Sequence, residues 1–216
     1  MRTKFDEQLR SLNTEMVHMG NMIEEAIQNA LDALFNQDIE KAKQIMKDDE
    51  QVDHEQKKIE NICFQLLVQQ QPVAHDLRNI TAAMKMVTDM ERIGDQAADI
   101  SELTVMMPDS INKVNAENIR KMSAEVILML LKAVEAYVEK DADKAQKVID
   151  HDDIVDDLFI KVKGELIEVM QKTPEHAETA ADLLMVNKYL ERIGDHATNI
   201  AEWVIFSVDD RYDRKD

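Results

Sequence analysis

The chain has 216 residues, 44 of them acidic against 26 basic, for a formal charge of -18. That balance argues against nucleic acid and anionic membrane surfaces as partners and favours basic partners or cations. A single cysteine, Cys63, leaves no internal disulfide and fits a reducing cytosolic setting. The longest clean apolar run, Val126 to Leu131, is far short of a membrane span, and the first residues lack the apolar core of a signal peptide.

Four glycines and three prolines punctuate a sequence dominated by strong helix formers, which predicts long helices and almost no sheet. From Phe5 to Phe35, apolar residues at Leu9, Leu12, Met16, Met19, Ile23, Ile27, Ala30 and Leu34 recur at spacings of three and four, as one buried helix face requires. Asn36-Gln37-Asp38 breaks the pattern, with Asp38 placed to cap a second helix over Ile39 to Gln70. Pro72 then separates it from a third helix over Ala74 to Met106, and Pro108 divides the chain in two.

The second half repeats the plan, with helices expected over Ala116 to Glu139, Ala142 to Lys172 and Glu175 to Ser207, and Pro174 in the place of Pro72. Glu91-Arg92-Ile93-Gly94-Asp95 returns as Glu191-Arg192-Ile193-Gly194-Asp195 within a stretch of eight identities in thirteen positions. At an offset of 103, Ala30 to Asp53 and Ala133 to Asp156 share eight of 24 positions, including Asp38/Asp141, Asp49/Asp152, Val52/Val155 and Asp53/Asp156. The expected fold is therefore all-α, two tandem, sequence-related three-helix bundles over residues 1–107 and 108–216. The charged tail from Asp209 onward is expected to fray.

On the third helix Met86, Met90, Ile93, Ala97, Ile100 and Thr104 form the core stripe, and Glu91, Asp95, Asp99 and Glu102 lie roughly opposite it. The sixth helix repeats this with Glu191, Asp195, Asn199 and Glu202 outside. Carboxylates at i and i+4 repel one another on one helix face, and a bound cation would reverse the sign. Asp49 and Asp53 stand about as far before the Pro72 turn as Glu91 and Asp95 stand after it, about 30 Å up an antiparallel hairpin. Asp152 and Asp156 stand level with Glu191 and Asp195 in the same way. Two surface sites of four or five carboxylates are thus possible, the alternative being a merely solvated acidic face. Oxygen ligands favour Mg, Mn or Fe over a thiolate-type zinc site, and His151 and His196 stand beside Asp152 and Asp195 as possible added ligands.

Gly94 and Gly194 each cost a helix interior about 1 kcal/mol relative to alanine, so something approaches the backbone there, either another helix or a partner. Arg92 and Arg192 are expected to pair with nearby carboxylates. The fourteen methionines and Cys63 read as core packing.

The paired E-R-I-G-D helices, Met19-Gly20 in the first helix, and Pro72 with Asp76-Leu77-Arg78 at the start of the third resemble the PhoU family over nearly the whole chain. The resemblance implies a cytoplasmic, usually dimeric helical protein that negatively regulates phosphate uptake and phosphate-starvation signalling. Its implied partners are the ATPase subunit of a phosphate ABC transporter and a sensor histidine kinase, with the membrane reached only through them. It also implies multinuclear iron or zinc clusters on E/D-x-x-x-D motifs, which fall here on Asp49, Asp53, Glu91, Asp95 and Asp99, and on Asp152, Asp156, Glu191 and Asp195. Asn199 stands where the first half has Asp99, so the second site is one charge poorer. Arg92, Gly94, Arg192 and Gly194 are the candidate partner contacts.

No nucleotide-binding loop, zincin motif or nucleophile with an adjacent base is present, so no enzyme is expected. A di-iron carboxylate oxidase would need two inward E-x-x-H pairs, and Glu15 with His18 is the lone match. The third reading is a passive helical scaffold with no link to phosphate.

Overall fold

A computed structural model of the chain describes residues 2–70, 72–107, 114 and 116–208. Six helices follow one another: α1 (Arg2–Asn36), α2 (Ile39–Gln70), α3 (Ala74–Met106), α4 (Glu117–Glu139), α5 (Ala142–Lys172) and α6 (Ala177–Val208). The sixth begins two residues later than Glu175 because Pro174–His176 form a separate 3-10 turn ahead of it. Pro108 and the tail from Asp209 lie outside the described residues, as does the start of the expected second bundle at 108. Among the described residues no helix is long and apolar enough to cross a membrane.

Both halves turn from their first helix to their second with the same device. Gln37 and Lys140 adopt left-handed φ values of 53° and 55°. Asp38 and Asp141 then cap the next helix, each accepting through Oδ1 from a backbone N–H, that of Lys41 at 3.0 Å and of Lys144 at 2.9 Å. A carboxylate there satisfies an amide that has no partner inside the helix.

Within each half the three helices pack on one another, and the halves meet where α3 runs along α6 and α1 along α4. The apolar stripes read from the periodicity all point inward: Met16, Met19, Ile23 and Ile27 on α1, Met86, Met90, Ile93 and Ile100 on α3, and Leu190, Ile193 and Ile200 on α6 are essentially without solvent exposure. They belong to one apolar cluster that continues across both repeats. Removing one such side chain to alanine costs about 2–5 kcal/mol in a core of this kind. Cys63 is buried in the same cluster, where desolvation, and secondly the charge of Glu60, pushes its thiol up to about 12.

Candidate functional site

The core stripes fix the rotation of α2 and α3, and with it the placement of the acidic residues. Because Ile93 and Ala97 of α3 and Val52 of α2 are buried, the next positions around each helix fall along the α2–α3 seam. A methyl group at Gly94 would lie 3.0 Å from Val52 Cγ1 and 3.5 Å from Asp49 Oδ1. At Gly194 it would lie 3.2 Å from both Asp152 Oδ1 and Val155 Cγ1. Another helix is therefore what approaches each glycine, and the glycine makes room for an aspartate as well as for a valine.

This seam collects the first set of acids. Asp49 and Asp53 on α2 and Glu91, Asp95 and Asp99 on α3 are all half-buried. Asp49 is pushed up to about 6 by burial first and then by the charges of Asp95, Asp53 and Asp99. Glu91 is raised by burial and then by Asp95, with Asp53 and Asp49 adding to it. Asp99 is raised by burial and by Asp95. The helical-wheel expectation that these groups point straight out to solvent is thus corrected for this helix: only Glu102 is exposed, while Glu91, Asp95 and Asp99 are half-buried.

The second hairpin repeats the arrangement with α5 and α6 only in part: Asp152 and Glu191 are half-buried, whereas Asp156 and Asp195 are exposed, Asp195 as the helical wheel expects. Asp152 is pushed up to about 6 by burial and then by Asp156, Asp195, Glu191 and Asp153. Asp195 is raised by burial and then by Glu191. Like charges that share a partly dry seam disfavour one another's ionised form.

The cations nearby offset only part of this. Arg92 lies 3.0 Å from Asp95 and 3.6 Å from Glu91, as expected. Arg192 makes no ion pair among the described residues; its charge instead acts across the repeat interface on Asp99. Its place beside Glu191 is taken by Lys188, and Asp53 has Lys57 at 4.0 Å.

The two histidines are engaged away from the acidic seams. His196 Nδ1 lies 2.9 Å from Asp89 Oδ1 on α3, and His151 Nε2 lies 2.7 Å from Glu125 Oε2 on α4. Glu15, of the lone E-x-x-H pair, is held by Lys58 Nζ at 2.6 Å. Asp89 escaped the sequence reading because it belongs to no repeated motif, position 189 being a tyrosine.

The donor set suits a hard or borderline cation in kind and charge, with raised carboxylates that a cation would return to their ionised form. Among the described residues no three His, Cys, Asp or Glu side chains gather around a point that could hold a metal ion.

Comparison with known proteins places both repeats. A family model described as the PhoU domain matches residues 16–104 and again 119–204. A Clostridium acetobutylicum protein described as a phosphate-specific transport system accessory protein PhoU homolog is 38% identical over 208 residues, covering 96% of this chain and 95% of that protein. A Borreliella burgdorferi protein of the same description is 32% identical, with 95% of each chain covered. Among solved structures, PhoU from Pseudomonas aeruginosa superposes with a TM-score of 0.85 at 31% identity, over 94% of this chain and 98% of that one. The phosphate transport system regulatory protein PhoU from Streptococcus pneumoniae superposes with a TM-score of 0.87 at 28% identity, over 94% and 96%.

Proposed function

The chain belongs to the PhoU family, and from that membership we propose that it is a cytoplasmic negative regulator of phosphate uptake and phosphate-starvation signalling. In this reading it carries out no reaction. It acts by docking, as a homodimer, on the ATPase subunit of a phosphate ABC transporter and on a sensor histidine kinase.

The observation that carries the reading is the same acidic, glycine-marked hairpin built twice on a chain of net charge -18. Such faces suit basic partner surfaces, where charge complementarity steers encounter and selects the partner. Arg92 and Arg192 are exposed and remain candidate partner contacts, whereas Gly94 and Gly194 are buried and make room for α2 and α5.

Metal binding is part of the proposal. Asp49, Asp53, Glu91, Asp95 and Asp99 would hold a cation on the first hairpin, and Asp152, Asp156, Glu191 and Asp195 on the second. Iron or zinc in multinuclear form, or else magnesium or manganese, would supply the positive charge these seams lack. The packing of α2 on α3 and of α5 on α6 brings the donors to one seam, and because no three converge on a point among the described residues, binding would have to draw the side chains together.

The test is binding of the purified chain to the ATPase subunit of its own organism's phosphate transporter, with and without Mg-ATP, with metal content assayed on the same sample. Saturable binding that weakens with salt supports the reading. Absence of binding to both that subunit and the sensor kinase sinks it and leaves the passive scaffold.

A further inference from the structure

The two repeats carry a cavity at corresponding places, and the second is lined by lysines where the first is lined by acids and amides. In the first repeat a cavity of about 220 Å³ is bordered by Glu25, Asn29, Asp48 and Asp49, with Ile45 and Ala26 as apolar wall. In the second a larger one, of about 350 Å³, lies between α4 and α5, with Leu128, Met129 and Val148 as apolar wall and Lys132, Lys144 and Lys147 at the rim.

At the offset of 103 residues that relates the repeats, Asn29 becomes Lys132, Gln44 becomes Lys147, Asp48 becomes His151 and Glu25 becomes Leu128. Each change removes an acid or adds a cationic or imidazole group. Ile45 and Val148 keep the apolar wall. Two neighbouring changes run the other way, Met22 becoming Glu125 and Asn36 becoming Glu139, so the second cavity gains Lys132, Lys147 and His151 together with carboxylates that pair with His151 and Lys144, while the chain as a whole stands at -18.

The lysines are available to a ligand to different degrees. Lys147 makes no ion pair among the described residues. Lys132 Nζ lies 2.6 Å from Glu135, and Lys144 Nζ lies 2.7 Å from Glu135 and 2.6 Å from Glu139. These are solvent-exposed pairs, which bind weakly and which a dianion can displace. His151 is occupied by Glu125.

We propose that the cavity between α4 and α5 binds a small organic phosphate, its phosphate group held by Lys147, Lys132 and Lys144 and its apolar part lying on Leu128, Met129 and Val148. Lysine ammonium groups act as point charges toward phosphate. The volume falls within the range of about 300–1,000 Å³ typical of small-molecule sites, which the first-repeat cavity does not reach. This site is separate from the acidic seams and does not depend on the regulatory reading.

Titration calorimetry on the full chain in metal-free buffer at neutral pH, with phenyl phosphate as the probe and inorganic phosphate beside it, tests the proposal. Phenyl phosphate is expected to bind at one saturable site, about fivefold or more tighter than inorganic phosphate. The variant K132N/K147Q, which copies the first repeat, is expected to lose about tenfold or more of that affinity, while the control Lys43→Gln keeps it. Circular dichroism melts establish that both variants fold, and the Met129 methyl NMR signal of the parent should shift on titration. No saturable binding at millimolar phenyl phosphate overturns the proposal, as does binding unchanged in K132N/K147Q. Inorganic phosphate binding as tightly as phenyl phosphate overturns the organic ligand class.

Discussion

Asn199 Nδ2 of α6 donates to Asp89 Oδ1 of α3 at 3.1 Å, across the interface between the repeats, and His196 shares the same oxygen. The asparagine that makes the second acidic set one charge poorer is therefore a donor in the contact that joins the halves. A carboxylate at 199 would face Asp89 directly. Asn199→Asp is expected to cost about 1–3 kcal/mol at neutral pH, since it replaces a hydrogen bond by like-charge repulsion in a half-buried place. A urea midpoint unchanged from the parent would show that the contact contributes nothing to the interface.

The glycines make opposite predictions. Gly94→Ala brings a methyl within 3.0 Å of Val52 Cγ1, a β-branched side chain on a stiff rotamer, so overpacking outweighs the gain in helix propensity. A net loss of about 1–2 kcal/mol is expected. Gly164 meets nothing within 4 Å of such a methyl, so Gly164→Ala is expected to gain about 0.5–1 kcal/mol. Thermal melts of the two single variants should move apart from the parent in opposite directions; a shift in the same direction would contradict the packing of α2 on α3.

The acidic seam predicts an unusual dependence on pH. Asp49 sits at about 6 in the folded chain against an ordinary 3.8, so between those values the folded state binds a proton that the unfolded chain has released. Stability therefore falls as pH rises through that window, and the group is destabilising once ionised. Asp152 acts in the same direction, while Glu135, held down to about 2 by Lys132 and Lys144, acts in the opposite one. A difference between variant and parent isolates the seam. Asp49→Asn is expected to melt higher than the parent at neutral pH in metal-free buffer, with the gap closing toward pH 4. A gap independent of pH would mean that ionisation of Asp49, opposed first by burial and then by the charges of Asp95, Asp53 and Asp99, is not its cause.

Much of this was legible in the sequence, for physical reasons that also mark where it stopped. Periods of three and four placed the helices, and Asp38 marked where the second helix begins, because a cap is a local event. The level heights of Asp49 and Glu91 followed from hairpin geometry. The half-burial of Asp49, Asp95 and Asp99 did not, since a single-helix wheel cannot say how closely α2 leans on α3. Gly94 and Gly194 were the signal of that closeness. The contact of Asp89 with Asn199 spans 110 positions and joins a residue outside the repeated stretch to one inside it, so only packing of α3 on α6 reveals it. The lysine-lined cavity was present in the aligned repeats as Asn29/Lys132 and Asp48/His151, but those positions carry no message until α4 and α5 are seen to enclose a space.

Cys63 gives a direct reading of how these contacts hold the first repeat together. It has no solvent exposure, and burial pushes its thiol up to about 12, so both access and ionisation oppose reaction. Labelling by a thiol-disulfide reagent at mildly alkaline pH is expected to be about a thousandfold or more slower than that of a free thiol, and to become immediate in denaturant. In the native state the rate then reports the opening that exposes α2. Gly94→Ala, which strains the α2–α3 seam, should speed labelling by the factor its lost stability predicts if global unfolding is the route. An unchanged rate beside a lowered urea midpoint would place the opening at the end of α2, near Cys63 itself. Labelling of the native parent at the free-thiol rate would contradict the burial of Cys63 in the core.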